Sequence, residues 1–456
     1  MGMKLYIYGA IKNYKARRPA RFHMPGHKAN RKRFPLFKDA PLDITELPFA
    51  DCLESPEGII ADARRDIADA LGARESFFLT DGSSCGVFAM IYIVRKRGGK
   101  VVIARNSHKS VYNACAALGV EPYIVQNNEK DGVLLPPTAA DIETALKKER
   151  DVTAVLITSP DYYGNVADLS AIEKVCRRYN RIFMVDGAHG AYLKFDADAR
   201  GLYAGECAHI WVDGSHKTMP TLTQGALLNV NDESLLADAA EGLNMFRTTS
   251  PSYPVMASIE YGVKYMEENG AALIDAVRRE LTLVKAKLRK AGIPFYAESK
   301  TLVLAVDFGA MGISPYRAEE ELARRGVYAE MCDGRYLLFY FSALTSPVRL
   351  RMLEFRLRRI ARMRSLKNTY EPPAGFACGV KKFSYLTANS LALEYVPLEK
   401  AAGRIAARNA GITPPCFPTV VAGEQITEAA AEALSKAAHT FGVYRGRVAV
   451  INIGGK

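Results

Sequence analysis

Polar residues of several chemical types follow two short apolar runs of the chain. The runs at 182–185 and 209–212 contain branched and aromatic residues, and each is followed directly by Asp-Gly, a pattern that predicts two buried strands ending in turns. Ligands of an open parallel sheet bind beyond the carboxyl ends of its strands, so the polar residues after both runs are candidates for a functional site. They are Asp186, His189, Ser215, His216 and Lys217.

Lys217 can supply the most distinctive chemistry of this set. It stands in a turn of small and polar residues, and a lysine held there can form a Schiff base with the aldehyde of pyridoxal phosphate. The cofactor also needs a carboxylate at its pyridine nitrogen, which keeps the ring protonated and able to accept electrons, and Asp186 can fill that role. Either residue alone is more often an ordinary turn residue, but the two together favour a pyridoxal-phosphate site.

Two further strand ends carry residues that suit the same cofactor. Ser83 and Ser84 follow a predicted strand at 76–80 and open an apolar helix, where N–H groups and hydroxyls can cradle a phosphate, with simple N-capping as the alternative. His108 follows a predicted strand at 101–104. Its flat imidazole could stack on a planar cofactor, although a lone histidine is more often structural.

These strand ends belong to an alternating pattern of strands and helices. Seven segments are predicted strands, and helical patterns such as 138–149 and 169–179 separate most of them. This alternation predicts an α/β fold, in which helices cover both faces of a seven-stranded, mostly parallel sheet. The predicted strands lie at 76–80, 101–104, 122–125, 154–157, 182–185, 209–212 and 225–230.

The pattern changes towards both ends of the chain. Residues 1–50 contain five prolines and are predicted to be extended and rich in turns. A polar loop at 249–262 is expected to lead into a helix, and a helix is predicted at 271–290 and a later strand at 327–331. The predicted domains are an N-terminal arm at 1–50, a large cofactor-binding domain at 51–290, a small α+β domain at 291–365 and a C-terminal domain at 366–456.

Composition excludes several classes of protein. The 456 residues are 49% hydrophobic and 24% charged, and no apolar run approaches the roughly 20 residues that span a bilayer. The N-terminus shows no signal-peptide pattern, so we expect a cytoplasmic protein. The eight cysteines form no CxxC pair, and no metal site is expected. The net charge of +12 is spread along helical patterns without interleaved aromatic residues, which disfavours nucleic acid as a partner.

The motifs taken together resemble those of the Orn/Lys/Arg decarboxylases. They include FHMPGHK, FFLTDGSSCGVFAMI, RNSHKSVYNA, VDGAHGA, VDGSHKT and PPCFPTVVAGEQIT, in the family's order between residues 20 and 427. The resemblance implies an enzyme of the aspartate-aminotransferase-like fold (fold type I) that uses pyridoxal 5'-phosphate. It also implies decarboxylation of arginine, lysine or ornithine, feeding polyamine biosynthesis, by a homodimer whose sites lie at the subunit interface.

The resemblance also implies roles for individual residues. Lys217 resembles the Schiff-base lysine and Asp186 the partner of the pyridine nitrogen. His108 resembles the histidine that stacks on the ring, with Ala188 packed on the opposite face. The implied substrate neighbours are Glu330 and Asp333, and the implied phosphate contacts are Ser83, Ser84, Ser215 and His216, with Ser250 and Ser252 reaching across from the neighbouring subunit.

Two positions near the expected site depart from the family pattern. Asp161 stands where threonine is common, and Ala29 stands where glycine is usual. Asp161 is therefore a third candidate, beside Glu330 and Asp333, for pairing with the distal cation of the substrate. The chain shows no counterpart of the amino-terminal wing domain of the long bacterial decarboxylases, so a dimer is expected rather than a decamer.

Two other functions stay open from the residues alone. An aminotransferase or a β-eliminating lyase could use the same cofactor, with Arg335, Arg349 or Arg351 holding the substrate carboxylate. A non-catalytic pyridoxal-phosphate-binding protein would bind the cofactor without turnover. Within the decarboxylation reaction, either Lys217 or His216 could return a proton to the α-carbon.

Overall fold

Seven strands form the largest sheet of the computed structural model, which describes residues 3–30, 32, 36–371 and 378–452. The strands are β1 (Glu75–Leu79), β2 (Lys100–Ala104), β3 (Pro122–Val125), β4 (Val152–Thr158), β5 (Ile182–Gly187), β6 (Ile210–Asp213) and β7 (Ala226–Val230). Their order is β1-β7-β6-β5-β4-β2-β3. Each strand lies within two residues of its predicted bounds, which confirms the predicted sheet.

Strand direction agrees with the prediction of a mostly parallel sheet. The pairs β2–β3, β2–β4 and β5–β6 are parallel, whereas β7 is antiparallel to both β1 and β6. The residues of β5 and β6 are buried almost without exception, so both faces of these strands are covered. This explains why their sequences are continuous apolar runs rather than alternating ones.

Helices of ordinary length separate most strands, as predicted. The capping box of Thr138 and Asp141 begins one of them, and Gly72, with φ +72°, ends another. The helices are α1 (Tyr6–Ala16), α2 (Ile59–Leu71), α3 (Ser83–Arg97), α4 (Lys109–Leu118), α5 (Ala139–Lys148), α6 (Leu169–Arg178), α7 (Ser215–Thr218), α8 (Leu236–Phe246), α9 (Tyr253–Lys290), α10 (Pro315–Ala323), α11 (Pro347–Ala361), α12 (Tyr385–Ser390) and α13 (Glu428–Lys436). None of these described helices is both long enough and apolar enough to cross a membrane.

The N-terminal segment is not extended throughout, so that prediction is wrong for α1. Ile7 and Ile11, one helical turn apart, are buried. The buried carboxylate of Glu260 accepts hydrogen bonds from the N–H groups of Tyr6, Ile7 and Tyr8 at 2.5, 3.1 and 3.0 Å. These are N–H groups that the first turn of a helix cannot satisfy by itself. A residue 254 positions away therefore stabilises a helix that local sequence did not predict.

Two other boundaries differ from the predictions. The helix expected at 271–290 begins at Tyr253, so most of the predicted polar loop is helical in α9. The strand expected at 327–331 is reduced to Met331–Cys332, because only these residues pair with the neighbouring strand.

The chain divides into two compact units, and the sequence-based domain bounds stay a prediction. The first unit comprises Met1–Lys96, Asp168–Asp275 and Ser342–Leu344, and the second comprises Arg97–Ala167, Ala276–Phe341 and Thr345–Lys456. The second unit carries the small sheets predicted for the carboxyl end. Their strands are β8 (Val303–Asp307), β9 (Met331–Cys332), β10 (Tyr336–Tyr340), β11 (Leu393–Pro397), β12 (Ala410–Ile412), β13 (Pro418–Val420), β14 (Thr440–Phe441), β15 (Val443–Tyr444) and β16 (Arg447–Ile451), in the orders β8-β10-β9, β11-β16-β15 and β13-β12-β14.

Candidate active site

Lys217 lies in the short helix α7, which begins two residues after strand β6 ends. Its side chain is half-buried, and its Nζ lies 3.2 Å from Nε2 of His189. The neighbouring His216 is fixed differently, because its Nδ1 lies 2.9 Å from the carbonyl oxygen of Gly225. Since a carbonyl only accepts, Nδ1 of His216 carries the hydrogen. Burial lowers the pKa of His216, which favours the neutral imidazole.

Asp186 is buried at the end of β5, directly beside the strand that leads to Lys217. Its Oδ1 accepts a hydrogen bond of 3.3 Å from the N–H of Ala188. Burial raises the pKa of Asp186, while the positive charge of Lys217 and the bond from Ala188 act in the opposite direction. The structure therefore brings together the lysine and the carboxylate that the sequence singled out.

The repeated Asp-Gly of these two turns has a steric explanation. A Cβ atom on Gly214 would lie 2.4 Å from the carbonyl oxygen of Ala188, and one on Gly187 would lie 3.1 Å from that of Val212. The two turns thus pack backbone against backbone, and glycine permits the close approach. This packing holds the Asp186 turn and the Lys217 turn in a fixed relation.

The proposed phosphate contacts combine a helix start with a buried hydroxyl. Ser83 is the first residue of α3, and Gly82 before it has a left-handed φ of +77° and donates from its N–H to Gln224 at 2.9 Å. The first N–H groups of such a helix have no partner within it and suit an anion. Within the described part of the chain, Ser215 Oγ is buried and has no hydrogen-bond partner. A phosphate oxygen would satisfy that hydroxyl.

Ser250 and Ser252 lie just before α9, and Ser84 is exposed in the first turn of α3. The N–H of Ser250 donates to Thr248 at 3.1 Å, and Ser252 accepts at 3.5 Å from the N–H of Val255. These contacts show how the segment is held locally. A contact of Ser250 or Ser252 with a phosphate of a neighbouring subunit stays a prediction.

His108 is the N-cap residue of α4. Its Nδ1 accepts from the N–H of Ser110 at 3.2 Å and lies 2.8 Å from the Oγ of the same serine. The ring is half-buried and its orientation is fixed by these two contacts. His108 therefore has the local structural role that the sequence left open.

Asp161 and Asp333, two of the predicted substrate neighbours, belong to one hydrogen-bonded cluster around Tyr163, in which Asp161 is buried and Asp333 is half-buried. Asp161 accepts from the N–H groups of Tyr163 and Asn165 at 2.8 and 2.9 Å, and from the side-chain amide of Asn165 at 2.8 Å. Asp333 accepts from the Tyr163 hydroxyl and from the N–H groups of Arg335 and Tyr336. Burial raises the pKa of Asp161 to about 6 and raises the pKa of Asp333 as well.

Glu330 differs from these two carboxylates because its side chain is exposed. Its backbone N–H donates to Leu338 at 2.9 Å, which fixes the main chain next to strand β10. Of the three predicted substrate neighbours, Glu330 is therefore the one whose carboxylate is accessible to solvent.

Comparison with known proteins decides the family. Residues 6–298 match the model described as "Orn/Lys/Arg decarboxylase, major domain", and residues 382–440 match "Orn/Lys/Arg decarboxylase, C-terminal domain". The chain belongs to the Orn/Lys/Arg decarboxylase family. It is a decarboxylase, and its cofactor is pyridoxal 5'-phosphate. The resemblance found from the motifs is confirmed.

Individual relatives span nearly the whole chain. The "Uncharacterized protein YaaO" of Bacillus subtilis is 31% identical, covering 95% of this chain and 94% of its own. The "Arginine decarboxylase" of the same organism is 27% identical, covering 92% and 91%. Among solved structures, lysine decarboxylase A from Pseudomonas aeruginosa matches with a TM-score of 0.83 at 18% identity, covering 99% of this chain and 80% of that one. The constitutive lysine decarboxylase of E. coli matches with a TM-score of 0.79 at 18% identity, covering 98% and 82%, and both structural likenesses confirm the fold.

The residues present fit pyridoxal phosphate. The cofactor requires a lysine, a carboxylate near it and a donor to a phosphate oxygen. The structure supplies a half-buried lysine, a buried carboxylate close to it and a buried hydroxyl. Lys217, Asp186 and Ser215 would hold its aldehyde carbon, its ring nitrogen and its phosphate, respectively.

Sequence reasoning assigned no role to Asp213, the last residue of β6, which comes just before the turn that carries Lys217. Its Oδ2 accepts from the Tyr203 hydroxyl, the Trp211 indole N–H and the Asn229 amide, each at 3.0 Å. The Asn229 amide oxygen in turn accepts from Ser76 at 2.7 Å. Burial raises the pKa of Asp213 to about 7. The available signal was Asn229 itself, since a polar residue inside an apolar strand requires a buried partner.

Proposed function

We propose that this enzyme decarboxylates a basic amino acid, with arginine favoured over lysine and ornithine, to the corresponding amine and CO2. The observation that carries the proposal is that Lys217 lies close enough to the buried carboxylate of Asp186 for its charge to act on that carboxylate, in a chain of this family. Arginine is favoured because relatives named arginine decarboxylase cover more than nine-tenths of the chain. The product amine would feed polyamine biosynthesis.

The cofactor, when bound, supplies an electron sink for the bond that breaks at the α-carbon. Asp186 is placed to keep a positive charge at the ring nitrogen, because a buried carboxylate strengthens its attraction for a nearby cation. His108, by the family resemblance, covers one face of the ring, and Ala188 the other. Ser83, Ser84 and Ser215 would bind the phosphate, with Ser250 and Ser252 of a neighbouring subunit. His216 is a poorer phosphate contact than the family resemblance implies, because its ring N–H is directed at the carbonyl oxygen of Gly225.

Proton transfer at this site is best assigned to Lys217 Nζ. The nearby Nε2 of His189 lies within hydrogen-bond distance of Nζ and can exchange a proton with it. His216 is a poorer donor to the α-carbon, because its only N–H is directed at the carbonyl oxygen of Gly225 and its pKa is lowered. Of the two donors that the sequence left open, the geometry favours Lys217.

Glu330 is the best partner for the distal cation of the substrate. The oxygens of Asp161 and Asp333 already accept hydrogen bonds inside the fold, and their raised pKa values oppose a full negative charge. The carboxylate of Glu330, unlike that of Asp161, is exposed to solvent. A positively charged side chain of the substrate can therefore pair with Glu330 at the lowest desolvation cost.

The arginines that could serve an aminotransferase are partly engaged in other contacts. Arg335 donates to Asp307 at 2.8 and 3.0 Å and to the carbonyl oxygen of Asp131 at 2.6 Å. Arg351 lies 3.4 Å from Glu280. These ion pairs favour decarboxylation over a reaction in which an arginine must hold the substrate carboxylate.

The deciding experiment measures CO2 release from purified protein with pyridoxal phosphate and arginine, lysine or ornithine in turn. Lys217→Ala should abolish release, whereas Lys194→Ala, which changes an exposed lysine, should leave it intact. Borohydride reduction and peptide mapping should find the cofactor on Lys217. Cofactor bound at Lys217 without CO2 from any of the three substrates would refute the proposed activity.

Assembly and location belong to the same proposal. We expect a cytoplasmic homodimer with its sites at the subunit interface. Sedimentation equilibrium measures the assembly directly, and a mass of one chain, 50.1 kDa, for the active enzyme would refute the dimer.

A further inference from the structure

The segment that carries His108 is held on its N-terminal side by an ion pair with the C-terminal domain. The side chain of Arg105 is fully buried, and its Nη2 donates to Oε2 of Glu424 and to the carbonyl oxygen of Thr419, both at 3.0 Å. Nη1 bonds to the other oxygen of Glu424. Glu424 also accepts from the N–H of Val421 at 3.1 Å, which fixes the carboxylate within its own turn.

The same domain holds the other side of His108. The N–H of Lys109, the next residue, donates to the carbonyl oxygen of Cys416 at 2.8 Å. One turn along α4, the carbonyl oxygen of Tyr112 accepts from the Tyr385 hydroxyl at 2.9 Å. The His108 segment is therefore fixed by the C-terminal domain both before and after the histidine.

These contacts are more suited to fixing a position than to adding stability. Burying an arginine and a glutamate costs desolvation energy that their attraction only about offsets, so an apolar pair would stabilise the fold as well. A bidentate pair does define where two segments meet, because both oxygens and both nitrogens must align. The motif AGEQIT, which contains Glu424, has no other role in the site described above.

We infer that Glu424 and the carbonyl group of Cys416 are positioning groups, through which the C-terminal domain sets the place of the His108 ring. This inference rests on the proposed function in one respect, namely that His108 contacts the cofactor. Neither Glu424 nor Cys416 is assigned a contact with the cofactor or the substrate.

Lys109→Pro tests the inference with little risk to folding. Lys109 is the first residue of α4, where proline is tolerated, and His108 has φ −59° and ψ 147°, values that suit a residue before proline. The change removes two things only, the lysine side chain and the backbone N–H that donates to Cys416. Lys109→Ala removes the side chain alone and is the matched control.

The readout is the dissociation constant of pyridoxal phosphate, measured by absorbance titration without substrate. Lys109→Pro and Glu424→Gln should each raise it by about two- to tenfold, the weight of one aromatic stacking contact, and Lys109→Ala should leave it unchanged. In a His108→Ala background the same changes should have no effect beyond about twofold, because there is no ring left to position.

An equal effect of Lys109→Pro in both backgrounds, or no effect in either, would overturn the inference. An unchanged dissociation constant for His108→Ala would overturn it too. If Glu424→Gln does not fold, Lys109→Pro decides alone. Wild-type protein that follows this cycle but releases no CO2 would support the inference and refute the proposed decarboxylation, so the two failures are distinguishable.

Discussion

Raising the pH from 4.5 to 7 should weaken the attachment of helix α1, because ionisation of the buried Glu260 opposes it. The side chain of Glu260 is fully buried and accepts three N–H groups at the start of α1. Burial raises its pKa from 4.5 to about 7, although the three N–H groups act in the opposite direction. We use Glu260→Gln as the perturbation, since it removes the titration and keeps the size of the side chain.

The sign and the size of the effect on stability follow from the raised pKa of Glu260. The folded protein binds the proton more tightly than the unfolded chain, so the contribution of Glu260 to stability is fully present below pH 4.5 and is lost as pH rises through about 7. The difference between 4.5 and about 7 corresponds to about 3 kcal/mol, at about 1.4 kcal/mol for each tenfold change in proton affinity. Relative to Glu260→Gln, the wild type should lose this amount between those two pH values.

Urea unfolding of both proteins from pH 4.5 to pH 8, with hydrogen exchange at residues 6–8, measures the effect. Glu267→Gln, an exposed position on the same helix, is the control and should follow the wild type. A difference that grows with pH in favour of the wild type would refute the reasoning. It would mean that the three N–H groups and the helix dipole outweigh burial.

Three further predictions concern carboxylates of the candidate site. Asp213→Ala should lower the free energy of unfolding by about 3 kcal/mol or more, because three buried donors lose their acceptor, whereas Tyr203→Phe should cost only about 1 kcal/mol in the same urea titration. Glu330→Gln should raise the KM for arginine about tenfold with little change in kcat, since it weakens a charge-assisted contact. Asp161→Asn should lower the free energy of unfolding and leave the KM for arginine nearly unchanged, because Asp161 accepts hydrogen bonds inside the fold. A raised KM without a loss of stability would place Asp161 at the substrate instead.

The sequence alone determined the sheet and the centre of the candidate site. Short continuous apolar runs of branched and aromatic residues are typical of strands covered on both faces, and their abrupt ends at Asp-Gly mark where a parallel sheet presents its polar turns. Asp186 and the turn that carries Lys217 come to the same edge of the sheet, because β5 and β6 are neighbouring parallel strands. Both signals are local, and local signals are read directly from the order of residues.

Only the tertiary structure decided which carboxylates accept hydrogen bonds inside the fold and which contacts hold the candidate site in place. Glu330 and Asp333 lie three positions apart, yet one is exposed and the other is half-buried and accepts a hydrogen bond from Tyr163. Helix α1 depends on Glu260, and the His108 segment depends on Glu424, which is 319 positions from Arg105. A buried charge is stabilised by whatever donors the fold brings to it, and the order of residues does not specify partners at such separations.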